Sequence, residues 1–290
     1  MPPSMSSELQ SVLIHCPICH KNGKVEVLVE TIKNSPTGLT TMEIDGDICE
    51  HRFLIYVDKS FTMRESELID SVQSPDLVFD TEDLRTDIFT LDEMNVIKIN
   101  LYPITLSYIL KCFFYNQEVA IVISEKKEYL KRIYKTLFNY LFEETFTIEL
   151  HILTVNEYNS KKTELNLPIV LREVKILEDR NNFLRNPDLS VERGFIQKFY
   201  AQDYGLESLN ILKREIKNVF LLAKSIRELI VKNQKLDIFK IIKYLNKTFK
   251  IDVNVRFAEF LLDILKFYHH INLKGVYKNI EFLRFKKLGE

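Results

Sequence analysis

The chain has 290 residues, 40 lysines and arginines against 41 acids, a formal net charge of −1 and a hydrophobic fraction of 46%. That length allows two or three globular domains, and the near-neutral charge gives no global basic field for nucleic acid or an anionic membrane. Glycine occurs only 7 times, and neither GxGxxG nor GxxxxGK[ST] is present, which excludes the commonest phosphate-cradling loops.

The first segment, MPPSMSSELQSVLIHC, lacks a charged n-region followed by a long apolar core, so no signal peptide is expected. No apolar run approaches the roughly 18 residues of a membrane span. The four cysteines, three of them near the N-terminus, fit a reducing compartment better than a disulfide framework, and the expected location is cytoplasmic.

HCPICHKNGK places Cys16 and Cys19 at C-x2-C spacing, which lets two sulfurs reach one ion. A second pair must complete the tetrahedron, and GDICEHRF offers Cys49 and His51. Their C-x-H spacing departs from a second C-x2-C. Residues i and i+2 of an extended strand face one side, so both can point at the ion. KVEVLVETI, LTTMEID and RFLIYVD read as strands between and beyond the two turns, with NSPTG as a turn after the first. This is the layout of a zinc ribbon over residues 1–64. Four protein ligands leave no open position, so the expected Zn2+ is structural and not catalytic. His15 and His20 flank the first pair and are read as surface residues.

The pattern CPIC, about thirty residues, then ICEH-x-F-x-x-Y-V-D resembles the opening of archaeal proteins of the Asgard lineage over residues 12–64. The resemblance implies the metal ligands and carries no activity.

Residues 65–93 hold ten acids and one base, Arg85, and read as an acidic domain linker, or as a docking strip for a basic partner. An α/β domain is expected over 94–180. YPITLSYILKCFFYN has helical spacing with Pro103 in its first turn, and EVAIVIS reads as a strand buried on both faces. EKKEYLKRIYKTLFNYLFEE is an amphipathic helix with a stripe of Tyr129, Ile133, Leu137 and Leu141, with Tyr140 alongside. FTIELHILTV is a strand and LPIVLREVKIL another, so the order predicts a partly parallel sheet. No catalytic constellation emerges. His151 has no evident Ser, Cys or carboxylate partner, Cys112 beside Phe113 and Phe114 reads as a buried inert thiol, and capping explains Ser124. Residues 102–146, from LKCFFYN through EVAIVIS to LFNYLFEE, are similar to the core of DENN-type regulators of small GTPases. Generic βαβ packing gives the same order.

From residue 206 the chain turns helical, within a C-terminal module expected over 181–290. Leu209, Leu212, Ile216, Val219, Ala223, Ile226 and Ile230 form a heptad seam. It either packs on its own domain or pairs with a second copy through residues 206–232, giving a homodimer. LDIFKIIKYLNKTF carries a stripe of Leu236, Phe239, Ile242 and Leu245 or Tyr244. VRFAEFLLDILKFYHH is a further helix, and VYKNIEFLRFKK reads as a terminal strand or hairpin. Helices followed by strands is the order of a winged helix. Residues 233–287 hold twelve Lys or Arg against five acids, the best argument for nucleic acid in the chain. Glu259 and Asp263 on the would-be reading helix would repel phosphates.

The expected fold is therefore α+β multidomain: zinc ribbon, acidic linker, α/β domain and a winged-helix-like helical module. The leading functional expectation is a non-enzymatic interaction or adaptor protein with protein partners. A nucleic-acid-associated factor and a DENN-like regulator acting on a small GTPase are the alternatives.

Overall fold

A computed structural model describes residues 8–36, 38–69, 71–72, 75, 88–201, 206–232 and 236–273. Strands β1 (Leu9–His15) and β2 (Asn22–Leu28) pair antiparallel as a hairpin. β3 (Leu39–Asp45), β4 (Arg52–Asp58) and β5 (Met63–Leu68) form an antiparallel sheet with β4 in the middle. β3 and β4 coincide with LTTMEID and RFLIYVD. KVEVLVETI does not stay extended: β2 ends at Leu28, and helix α1 (Val29–Lys33) turns the buried Val29 and Ile32 inward.

β4 is buried on both faces. Phe53, Ile55 and Val57 join Val12, Ile14, Val27 and Ile44 in a small core under the hairpin, while Tyr56, pointing the other way, joins the large core of the molecule. The sheet is thus the floor of one core and the roof of another.

The acidic linker expected over 65–93 is corrected at both ends. Residues 65–68 belong to β5, and Glu65 and Glu67 are buried against the helical part of the chain. Alternate strand positions put both carboxylates on one face, where each finds a partner. Glu65 Oε1 accepts from the backbone N–H of Ile104 at 2.9 Å, and Glu67 Oε2 accepts from the Tyr56 hydroxyl at 2.8 Å. The Nε of Arg193 lies 3.3 Å from Glu67 Oε1. At the far end, Thr90 caps α2 (Leu91–Asn100) through a capping box with Glu93. Residues 70, 73, 74 and 76–87 of this segment lie outside the described residues.

α3 (Pro103–Phe114) follows α2 at 91°, with Pro103 in its first turn as predicted. Next come β6 (Val119–Ile123), a 3-10 turn (Glu125–Lys127), α4 (Leu130–Phe142), β7 (Leu150–Thr154), α5 (Val155–Leu165), β8 (Ile169–Arg172) and β9 (Lys175–Asp179). The strand order is β7-β6-β8-β9, with β6 parallel to both neighbours and β9 antiparallel to β8, so the partly parallel sheet is as expected. Ile121 and Ile123 pack towards Ile133 and Leu137 of α4, whereas Ala120, Val122 and Val170 pack with Tyr158 of α5 on the opposite face. LPIVLREVKIL is a hairpin and not one strand, turned by Glu173 at φ 51°. The stripe of α4 begins at Leu130, because Tyr129 precedes the helix and is exposed. Ser124 makes no side-chain cap.

Helices α6 (Ser190–Tyr200), α7 (Glu207–Lys232), α8 (Ile238–Phe249) and α9 (Val255–Phe267) complete the described chain. No domain boundary falls at 180/181, since one hydrophobic core runs from Leu39 to Leu273. The Phe114 ring lies 5.2 Å from that of Phe146, 5.5 Å from Phe260 and 6.2 Å from Phe195, joining α3 to α9 and α6. The seam of α7 from Leu209 to Ile226 is buried in this core, and the Tyr140 hydroxyl of α4 donates to Asn210 at 2.7 Å. From Leu209 to Ile226 the seam is thus covered within the chain itself, while Ile230 stays part-exposed and Val231 exposed at the helix end. On α8 the buried stripe is Ile238, Ile241 and Leu245, and Phe239 is exposed. The terminal strand or hairpin expected over 276–287 lies outside the described residues. Among the described residues no single helix is long and apolar enough to cross a membrane.

Lys98 of α2 is 1% exposed. Its Nζ has no hydrogen-bond partner among the described residues and lies 5.1 Å from the Phe199 ring and 5.9 Å from that of Tyr200. Burial lowers its pKa from 10.5 to about 7. Between those values the unfolded chain holds the extra proton, so stability rises with pH through that window. Lys98→Met is expected to gain about 2–4 kcal/mol at pH 7 and to lose that pH slope in denaturant titrations. An unchanged slope would contradict an isolated buried amine.

Candidate metal centre

Two turns at one end of the small core carry the cysteines. The first joins β1 to β2. Its backbone closes by Cys16 N–H donating to Lys21 O at 2.9 Å and His20 N–H donating to Cys16 O at 3.0 Å, with His20 left-handed at φ 57°. Inside it, the N–H of Ile18 points at Cys16 Sγ, 3.4 Å away. The second turn, residues 46–51, joins β3 to β4 and begins with Gly46 at φ +83°, a conformation that favours glycine. Ile48 of the second turn packs directly over Gly23 at the end of the first, where any Cβ would collide with the Ile48 side chain. The missing side chain at Gly23 is what lets the two turns close on each other.

Their docking brings four candidate ligands together. One ligand atom from each of Cys16, Cys19, Cys49 and His51 lies within 4.8 Å of the other three. A tetrahedral site with metal–sulfur bonds of about 2.3 Å needs sulfurs roughly 3.8 Å apart, so the group is at coordination scale. Cys16 is fully buried, Cys49 and His51 are half-buried, and Cys19 is exposed. His51 Nδ1 is buried with no hydrogen-bond partner among the described residues, an orphan that a metal would satisfy.

The thiols already perturb one another. Burial raises the Cys16 thiol, but the N–H groups of Cys19 and Ile18 and the neighbouring thiols outweigh it and hold it below the ordinary value. Cys49 is held above it, by burial first and then by the sulfurs of Cys16 and Cys19. Ionising one sulfur thus opposes ionising the next. A central cation removes that conflict and stabilises all the thiolates together. The donor set of three thiols and an imidazole is a soft one.

All four residues expected as ligands converge, though by a different route at one pair. Cys49 and His51 lie in the loop before β4, which begins at Arg52, so they meet through the loop's path and not through strand alternation. His15 and His20 are exposed and outside the group. His151 does have a carboxylate partner, contrary to expectation: its Nε2 is 2.8 Å from Glu118 Oε1. Cys112 is buried in α3, and burial pushes its thiol far up, which fits an inert side chain. The supporting glycines were not singled out in the sequence; the dipeptides Asn22-Gly23 and Asp45-Gly46 were the available signal.

The chain matches no protein-family model and no curated protein. Fold and site define a mixed α+β protein with a Cys3His group able to hold a metal ion, set between two hairpin turns.

If docking of Ile48 on Gly23 aligns the ligands, Gly23→Ala should speed metal transfer to a chromophoric chelator about tenfold. Transfer at the wild-type rate would show that the two turns hold the metal independently.

Proposed function

We propose that the protein is a non-enzymatic interaction protein whose first unit is held by a structural zinc ion on Cys16, Cys19, Cys49 and His51. Zinc is the metal that a tetrahedral set of three thiolates and one imidazole suits best. Four protein ligands leave no position for a reacting water, and this supports a structural role.

The observation that carries the interaction reading is the outer face of the β1–β2 hairpin. Leu9, Leu13 and Leu28 are 55%, 64% and 44% exposed, and Leu9 pairs directly with Leu28 across the hairpin. Their side chains face away from the small core that Val12 and Ile14 fill. Ile18, in the Cys16–Cys19 turn, is 44% exposed as well. Apolar side chains held out on a fastened ribbon are what a docking partner covers. Capture from native lysate should yield specific partner proteins that Leu9→Ser/Leu13→Ser no longer retains, while the variant keeps one equivalent of zinc. The same partners on both proteins would sink this reading, and less than one equivalent of zinc in the wild type would sink the metal.

A second reading, a regulator of small GTPases, draws on the order α3-β6-α4, which is the order that the likeness to DENN-type regulators implies. Accelerated nucleotide exchange on a candidate GTPase supports it, and a flat rate across candidates dismisses it. The nucleic-acid reading draws on the ribbon and on the basic C-terminal module, in which Lys240, Lys243 and Lys247 are exposed along α8.

A further inference from the structure

The four-stranded sheet ends in β9 on one side and β7 on the other, and the two edges differ. β9 carries Lys175, Glu178 and Asp179, and its pairing with β8 is interrupted by a register shift. Charges and bulges of this kind keep an edge from accepting another strand. β7, LHILT, carries no Asp, Glu, Lys or Arg, and it pairs with β6 in unbroken register.

The direction of its free groups follows from one hydrogen bond. Glu149 O accepts from Val119 N–H at 3.1 Å, so residue 149 points its main-chain groups at β6. Main-chain groups alternate in direction along a strand, and those of His151 and Leu153 point the same way. The N–H and C=O of Leu150 and Ile152 therefore point outward, where they meet no described residue. The next outward N–H, that of Thr154, is taken by Glu157 Oε2 at 2.7 Å.

Beside this row, between β7 and α4, runs a groove with about 390 Å³ of space open to water. Its lining includes Phe138, Ile148, Leu150 and Ile152, which also pack in the large core. Its charged lining has one sign only: Lys131, Lys135 and, when protonated, His151. Lys131 is shared between Glu128 and Glu157, and His151 meets Glu118. Lys135 is exposed and makes no ion pair with a described residue.

Charge decides between two occupants. Antiparallel pairing with β7 of a second copy would place both α4 helices on one face of the joined sheet. Lys131 and Lys135 of each copy would then meet those of the other across the seam, a like-charge contact that disfavours the pair. An extended segment with carboxylates meets the same lysines favourably.

We propose that β7 and its groove take an extended acidic segment of a partner protein as an added strand. Its main chain bonds Leu150 and Ile152, its apolar side chains lie over Phe138 and Ile148, and its carboxylates reach Lys135. This surface is separate from the β1–β2 hairpin and from the metal ligands, and its failure leaves both of those readings standing.

The probe is a fluorescein-labelled peptide that repeats Thr-Glu-Thr-Ile three times, titrated into the full-length protein and followed by fluorescence anisotropy. Saturable binding is expected, and the matching Thr-Lys-Thr-Ile peptide should bind at least about tenfold more weakly. Lys135→Glu should reverse that preference, while Lys126→Glu, exposed and outside the groove, should keep it. The main-chain contacts are tested on the peptide itself. N-methylation of every second residue removes the amides of one peptide edge only, so one of the two alternate sets should abolish binding and the other should leave it intact. No saturable binding, equal affinity for the two peptides, an unreversed preference in Lys135→Glu, an equal reversal in Lys126→Glu, or two N-methylated sets that behave alike would overturn the proposal. A sedimenting dimer with exchange-protected amides at Leu150 and Ile152 would overturn it in favour of a second copy on the same edge.

Discussion

The structure hangs on the meeting of two turns at one point. Cys16 and Cys19 arrive on the β1–β2 turn, Cys49 and His51 on the β3–β4 turn, and Ile48 over Gly23 brings them to coordination distance. The core beneath them is small: Val12, Ile14, Val27, Ile32, Ile44, Phe53, Ile55 and Val57 supply most of it. A unit of this size buries too little apolar surface to stand by itself. A structural zinc ion, worth about 10–16 kcal/mol in small metal-dependent folds, is large on that scale. In this reading the ion ties the hairpin to the sheet and holds its leucines out to solvent.

The same sheet is fastened below to the rest of the chain. Tyr56 meets Tyr200 edge to face at 5.6 Å, and Thr41 donates to the Tyr200 carbonyl at 3.1 Å. Glu65 caps the start of α3, Glu67 is shared between Tyr56 and Arg193, and Val72 N–H donates to Ser190 O at 2.7 Å. Gly194 admits this last segment, since a Cβ there would sit 2.5 Å from the Val72 carbonyl oxygen. Burial first, and the charge of Glu67 next, raise the Glu65 carboxyl well above its ordinary pKa. Stability tied to that group is present at low pH and falls as pH rises through its raised pKa. The ribbon is thus one face of a two-core protein and not a bead on an acidic string.

Much of this was legible in the sequence where a local rule suffices. C-x2-C spacing gave the first ligand pair, alternation gave β3 and β4, a continuous apolar run gave β6, and the heptad seam gave α7. Other elements depended on contacts far away in the chain. β5 was hidden because Glu65 and Glu67 look solvated until Ile104 and Arg193 are seen beside them. The β8–β9 turn was missed because Glu173 adopts a left-handed conformation without glycine or asparagine to announce it. α2 and α5 were announced by Thr-x-x-Glu at 90–93 and 154–157, capping boxes whose polar surroundings masked them. The fate of the α7 seam could not be read from its own residues, since the same spacing serves a bundle or a dimer. Its partners across the core, α6, α4 and α9, decide it.

The account places its central chemistry in the closed donor set of Cys16, Cys19, Cys49 and His51 between the two turns. Zinc K-edge X-ray absorption on the purified protein tests it most directly. The account predicts three sulfurs at about 2.3 Å and one nitrogen at about 2.0–2.1 Å. A shell with fewer sulfurs and an added water oxygen, or no zinc edge at all, would contradict it.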